Sequence, residues 1–183
     1  MKIIFLDHDG VITLFPQFGG RFKKKSNATK KGVKNLEDVN YRFDNFDKKA
    51  ISVLNSILKE TGAEIVVSSD WQNFATLQEL GEYYESQGII KKPIGVTKEV
   101  GEISQIEYES FPWHRNFEYE QTRSLEILKW LKEHSEVTHW VAIDDLDMAK
   151  RNDWGLTNFV HTPKIREGIK QTGVKEKLIN FLT

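Results

Sequence analysis

The sequence contains no cysteine. Disulfides, zinc thiolate centres and cysteine nucleophiles are therefore excluded, and the composition suits a reducing compartment. Net charge is also nearly absent, with a formal value of -1. Nothing global draws such a chain toward nucleic acid or an anionic membrane, so any such preference must come from local patches. No apolar run approaches the ~20 residues that span a bilayer. The opening stretch Met1-Lys2-Ile3-Ile4-Phe5-Leu6 turns acidic too soon for a signal peptide. These absences lead to the expectation of a cytoplasmic protein. What is present is a globular mixture, 39% hydrophobic and 29% charged over 183 residues. That length buries a core without staples, and the expectation is one domain spanning 1–183.

Short apolar runs alternate with helical patterns. Ile3–Leu6, Ala63–Val67 and Trp140–Ile143 are rich in branched or aromatic residues and end in polar ones, as buried parallel strands do. Thr157–Val160 is a weaker fourth run. Residues 47–60 place Ala50, Ile51, Val53, Leu54, Ile57 and Leu58 on one stripe, with Asp44 or Asp47 as the cap and Thr61-Gly62 as the stop. Helical spacing also marks 72–87, 121–133 and 174–182. This alternation predicts an α/β fold, a mostly parallel sheet with helices on both faces. Two stretches break the alternation, about 14–43 and about 91–120, and read as insertions near one end of the sheet.

The chemistry-bearing residues sit where strand patterns stop. In an open parallel sheet, ligands bind outside the carboxyl ends of the strands. Asp7-His8-Asp9-Gly10 follows the first strand and Asp144-Asp145 follows the third. If those strands are neighbours, the carboxylates converge. Converging carboxylates repel unless a cation offsets them, and Mg²⁺ favours oxygen ligands. In such a site Asp7 can attack phosphorus. Asp9, one residue removed, can pass a proton to the leaving oxygen and later activate water. Gly10 permits the tight turn that this requires. His8 points away from both acids by strand period and reads as a shaping or packing residue rather than a base. A simple Asp-x-Asp-Gly turn would also account for the first motif taken alone; a second acidic strand end argues against it.

The run Ile4-Phe5-Leu6-Asp7-His8-Asp9-Gly10-Val11 resembles the first signature of the haloacid dehalogenase (HAD) superfamily. Ile65-Val66-Val67-Ser68-Ser69-Asp70-Trp71 resembles the second and Trp140-Val141-Ala142-Ile143-Asp144-Asp145 the fourth. The resemblance implies a three-layer Rossmann-like fold and a Mg²⁺-dependent phosphohydrolase working through an aspartyl-phosphate. It implies Asp7 as nucleophile and metal ligand, and Asp9 as acid/base with a backbone carbonyl on the metal. Ser68, or Ser69 in its place, binds the phosphoryl oxygens. Asp145 ligates Mg²⁺ with Asp144 beside it, and His8 and Gly10 shape the substrate site. For the signature cation that neutralises phosphoryl charge, Arg123 is the choice and Lys129 the alternative. The acid at Asp9 favours phosphatase or phosphotransferase chemistry over dehalogenation.

More narrowly, the chain is similar to small HAD domains associated with RNA repair proteins. Ser68-Ser69-x-Trp71, Arg123-x-x-Glu126-Ile127-x-x-Trp130-Leu131 and Ile143-Asp144-Asp145 carry that likeness. Residues 21–34 hold Arg21, Lys23, Lys24, Lys25, Lys30, Lys31 and Lys34 without an acid, near Phe15, Phe18, Phe22 and Tyr41. Such a segment is either a solvated lysine-rich loop or a groove for polynucleotide. Trp113-His114-Arg115 is either a lid contact or packing. Three functions therefore stand. They are a phosphatase for a small phosphorylated metabolite or nucleotide, a phosphatase for polynucleotide ends, and a non-catalytic binding module of the same fold.

Overall fold

The computed structural model describes residues 1–14, 42–97, 119–149 and 155–183. The basic run, its neighbouring aromatics and Trp113-His114-Arg115 lie outside these described residues.

The expected α/β architecture is found. Five strands, β1 (Lys2–Leu6), β2 (Glu64–Val67), β3 (Gly95–Val96), β4 (His139–Asp144) and β5 (Phe159–His161), form a sheet in the order β3-β2-β1-β4-β5. Every pairing is parallel. Among the described residues, four α-helices accompany them: α1 (Lys48–Thr61), α2 (Leu77–Gln87), α3 (Tyr119–Glu133) and α4 (Val174–Leu182). Strand period sorts the central residues between two cores. Ile4 and Leu6 join Ile65, Val67, Val141 and Ile143 under α1, α2 and α4. Ile3 and Phe5 join Val66 and Ala142 under α3. Ile3, Ile4, Phe5 and Leu6 are fully buried, each worth about 1.5–3 kcal/mol of apolar burial. That two-sided burial is why β1 reads as an unbroken apolar run.

Local chemistry sets the helix ends. The Asp47 side chain accepts from the backbone N–H of Ala50 at 2.8 Å and starts α1. Thr76 and Glu79 form a reciprocal capping box at the start of α2. That box explains why α2 begins at Leu77 and not at 72, as helical spacing suggests. The preceding residues Asp70–Asn73 instead make a separate 3-10 turn, and Phe74 is half exposed. The strand β3 falls inside the stretch read as an insertion; its two residues are too few for a periodic signal. The weak fourth run is a strand displaced by two residues, Phe159–His161.

Register fixes where the chain leaves the sheet. Leu6 lies opposite both Val67 and Ile143. Asp7, Ser68 and Asp144 therefore emerge at the same level, with the Asp7 N–H donating to the Ile143 carbonyl and the Ser68 N–H to the Leu6 carbonyl. Beyond β1 the chain closes a tight loop in which the His8 carbonyl accepts from the N–H groups of Val11, Ile12 and Thr13. The turn at Gly168 clasps this loop, and the Ile169 N–H donates to the Val11 carbonyl at 2.9 Å. Gly168 has φ +53, and a Cβ there would strike the Val11 carbonyl oxygen. Gly168→Ala is accordingly expected to cost at least ~2 kcal/mol from backbone strain and displacement of the loop. Denaturant melts check this; an unchanged midpoint would show that the clasp yields freely.

Candidate active site

Strand alternation carries past β1 and separates the motif's side chains. Asp7 and Asp9 fall on the α3 side, where a cleft of about 240 Å³ is lined by Asp7, Asp9, Ser69, Asp70, Arg123, Asp145 and Leu146. His8 falls on the opposite side, fully buried, with Nε2 2.6 Å from the Tyr84 hydroxyl and its ring against Phe46 and Trp71. From the sequence, His8 is expected among the residues that shape the substrate site. Its side chain does not line the cleft, because the period of the strand turns it into the core beneath.

Arg123 reaches the cleft because α3 docks through the same face. Arg123, Ile127 and Trp130 lie at helical spacing on one stripe. Ile127 and Trp130 are buried, and Trp130 meets Phe5 edge-on at 5.4 Å. The guanidinium then donates from Nη1 to Asp7 Oδ1 and Asp144 Oδ2, both at 2.9 Å, and from Nη2 to Asp70 Oδ1 at 3.1 Å. Lys129, the alternative cation, is exposed on another face of α3.

Asp7, Asp144 and Asp145 each bring an oxygen within 4.8 Å of the others. Asp144 is the more tied of the acidic pair, accepting from Arg123 and from the Leu146 N–H at 2.9 Å. Its carbonyl accepts from the N–H and the hydroxyl of Thr162, and the Asp145 carbonyl lies 2.9 Å from His161 Nε2, so the end of β5 fixes both residues. Asp145 lines the cleft. Gly10 leaves room for it: φ there is +75, and a Cβ would come within 2.7 Å of Asp145 Oδ2. Ser69 also lines the cleft, while its Oγ accepts from the Trp71 N–H at 3.5 Å. Ser68 Oγ is buried and, among the described residues, has no hydrogen-bond partner.

Electrostatics follows from this crowding. Burial, and then Asp144, pushes Asp7 well above the ordinary carboxylate range despite Arg123. Burial raises Asp144 against the pull of Arg123. Burial and Asp144 push Asp145 up to about 7. Burial opposes the charge on Arg123, yet Asp7 and Asp144 hold its pKa above the usual value. His8 is driven down to about 3 by burial and then by Arg123, which keeps it neutral. Among the residues lining the cleft, Arg123 is the cation facing Asp7, Asp9, Asp70 and Asp145. A hard divalent ion fits that excess of oxygen donors, and an orphaned buried hydroxyl such as Ser68 Oγ is what a phosphoryl oxygen satisfies.

A comparison with protein families decides the lineage. The model for the HAD domain in Swiss Army Knife RNA repair proteins matches residues 3–174. The chain belongs to this family. The match takes in all five strands of this HAD domain and every residue of the cleft. No curated protein and no solved structure gives a match. In the HAD domain Asp70, which lines the cleft, and Trp71, buried behind it, have roles that residue type alone did not reveal. Asp70 pairs with Arg123, and Trp71 donates to Asp9 Oδ2 at 3.1 Å. Both sit in the 3-10 turn that begins three residues after β2 ends.

The raised pKa of Asp145 makes metal-free stability pH-dependent. The folded state holds the Asp145 proton up to about pH 7, whereas the unfolded chain releases it near the ordinary value of 3.8. Between those values the folded state binds more protons, so stability falls as pH rises through the window. Asp145→Asn should flatten that fall. Saturating Mg²⁺ should reverse it in the wild type, because a metal takes deprotonated carboxylates. Urea melts at several pH values, with and without Mg²⁺, test this; identical profiles for wild type and Asp145→Asn would contradict it.

Proposed function

We propose that this HAD domain hydrolyses phosphomonoesters in a Mg²⁺-dependent reaction, with Asp7 as nucleophile and Asp9 as general acid/base. The observation that carries this reading is the meeting of Asp7, Asp144 and Asp145 within 4.8 Å beside a guanidinium bonded to Asp7. Asp7, Asp145 and the Asp9 backbone carbonyl would hold Mg²⁺, with Asp144 beside them. The bound ion would supply positive charge against the phosphoryl oxygens.

The remaining steps belong to the chain. An Asp7 carboxylate oxygen attacks phosphorus while the bond to the leaving oxygen breaks, and Asp9 gives that oxygen its proton. The product is an acyl phosphate on Asp7. Asp9, now ionised, takes a proton from water as the water oxygen attacks the same phosphorus. Inorganic phosphate leaves and the Asp7 carboxylate is restored. Arg123 orients Asp7 and offsets phosphoryl charge, and Ser68 Oγ donates to a phosphoryl oxygen, with Ser69, which lines the cleft, as the alternative donor.

Family membership favours one substrate class within this chemistry. The family is described by its occurrence in RNA repair proteins, so a polynucleotide end is the substrate put forward ahead of a small metabolite. Lys23, Lys24, Lys25, Lys30 and Lys31 are the residues suggested to contact its backbone. A non-catalytic binding module is disfavoured by the complete set of acids.

Wild-type protein with Mg²⁺ is expected to release phosphate from para-nitrophenyl phosphate, and EDTA to abolish it. Asp7→Asn should fall to background. Asp9→Asn should lose ~10²–10⁴-fold in kcat. Activity that survives Asp7→Asn would remove the proposed nucleophile. For the substrate class, an oligonucleotide bearing a terminal phosphate should be hydrolysed with a KM that rises steeply with salt. A salt-independent KM would point to a small molecule instead.

A further inference from the structure

We infer that Trp71 is the positioning residue for the general acid, holding the Asp9 carboxylate in its working orientation through the indole N–H. This rests on the proposed role of Asp9. Trp71 is fully buried, yet its Nε1 lies 3.1 Å from Asp9 Oδ2. An indole nitrogen is a donor and nothing else. Its partner oxygen therefore acts as acceptor, which favours Asp9 Oδ1 as the oxygen that carries the transferable proton.

The indole is itself held on several sides. Phe43 stacks on it at 4.1 Å with planes 6° apart, and Phe46 stacks at 5.4 Å. The His8 ring is tilted against it at 4.4 Å. His8 is the residue between the two catalytic aspartates, so the backbone leading into Asp9 and the Asp9 side chain refer to the same ring. The 3-10 turn that carries Trp71 begins with Asp70, which bonds Arg123. One turn thus sets both the acid and the cation that contacts the nucleophile. The site has a reason to fix Asp9 so firmly. A misplacement near 1 Å in a reacting group costs on the order of 10²-fold in rate, and Asp9 sits on a loop outside the sheet.

The test exploits leaving-group demand. A para-nitrophenolate leaves without help from an acid, whereas a phenolate needs the proton far more. Full-length wild type, Trp71→Phe and Asp9→Asn are assayed with Mg²⁺ on para-nitrophenyl phosphate and on phenyl phosphate. Trp71→Phe is expected to lose tenfold or more in kcat/KM, which reports the step that expels the leaving group, on phenyl phosphate beyond its loss on the nitrophenyl ester. Asp9→Asn should share that bias. Should Trp71→Phe fail to fold, 3-benzothienylalanine at position 71 keeps the bicyclic shape while replacing N–H by sulfur, and the same bias is expected. Equal losses on both esters, or no loss, would overturn the role of Trp71 while leaving the phosphatase reading intact. A wild type inert on both esters would overturn that reading, and this one with it.

Discussion

Arg123 lies between Asp7 and Asp144, and most of the site follows from that contact. Two carboxylates taken out of water beside each other are costly, and a single guanidinium offsets them only in part. The raised pKa values of Asp7, Asp144 and Asp145 express the residue of that cost. The fold tolerates the arrangement because the backbone imposes it. Parallel register brings the ends of β1 and β4 level, and two apolar residues on α3 press Arg123 against them. A site assembled in this way is under-neutralised among its described residues, which is the condition that favours a divalent cation and a phosphate together.

The surrounding devices divide the labour by face. Strand alternation sends Asp7 and Asp9 to the cleft and His8 into the opposite core. There His8 stays neutral and joins Phe46, Trp71 and Tyr84. Gly10 allows the loop to turn and leaves space for Asp145. The clasp from Gly168 and Ile169 ties that loop to the C-terminal segment. Rigid support of this kind is what a reaction dominated by charge placement requires.

Much of this was legible in the sequence because the strongest signals are local. β1 is buried on both faces, so Ile3–Leu6 stands out as an apolar run, and its abrupt end at Asp7 marks the site. Arg123 was legible because it opens an amphipathic helix just before an acidic strand end. The β3 strand was not, because two residues carry no periodicity. The true start of α2 was hidden because the apolar spacing of 72–87 runs through a turn that the Thr76–Glu79 box separates from the helix. The indole bond to Asp9 spans 62 positions; no local pattern encodes it. The segment 21–34, whose charge suggested a polynucleotide partner, lies outside the described residues. The family match alone supports that suggestion.

On this reading the acids at the ends of β1 and β4 form one cation site around a nucleophilic carboxylate. Anomalous scattering from crystals soaked in Mn²⁺, used in place of Mg²⁺, tests it most directly. One ion is expected, bonded at ~2.1 Å to carboxylate oxygens of Asp7 and Asp145. An ion bound elsewhere, or none at saturating Mn²⁺, would contradict it.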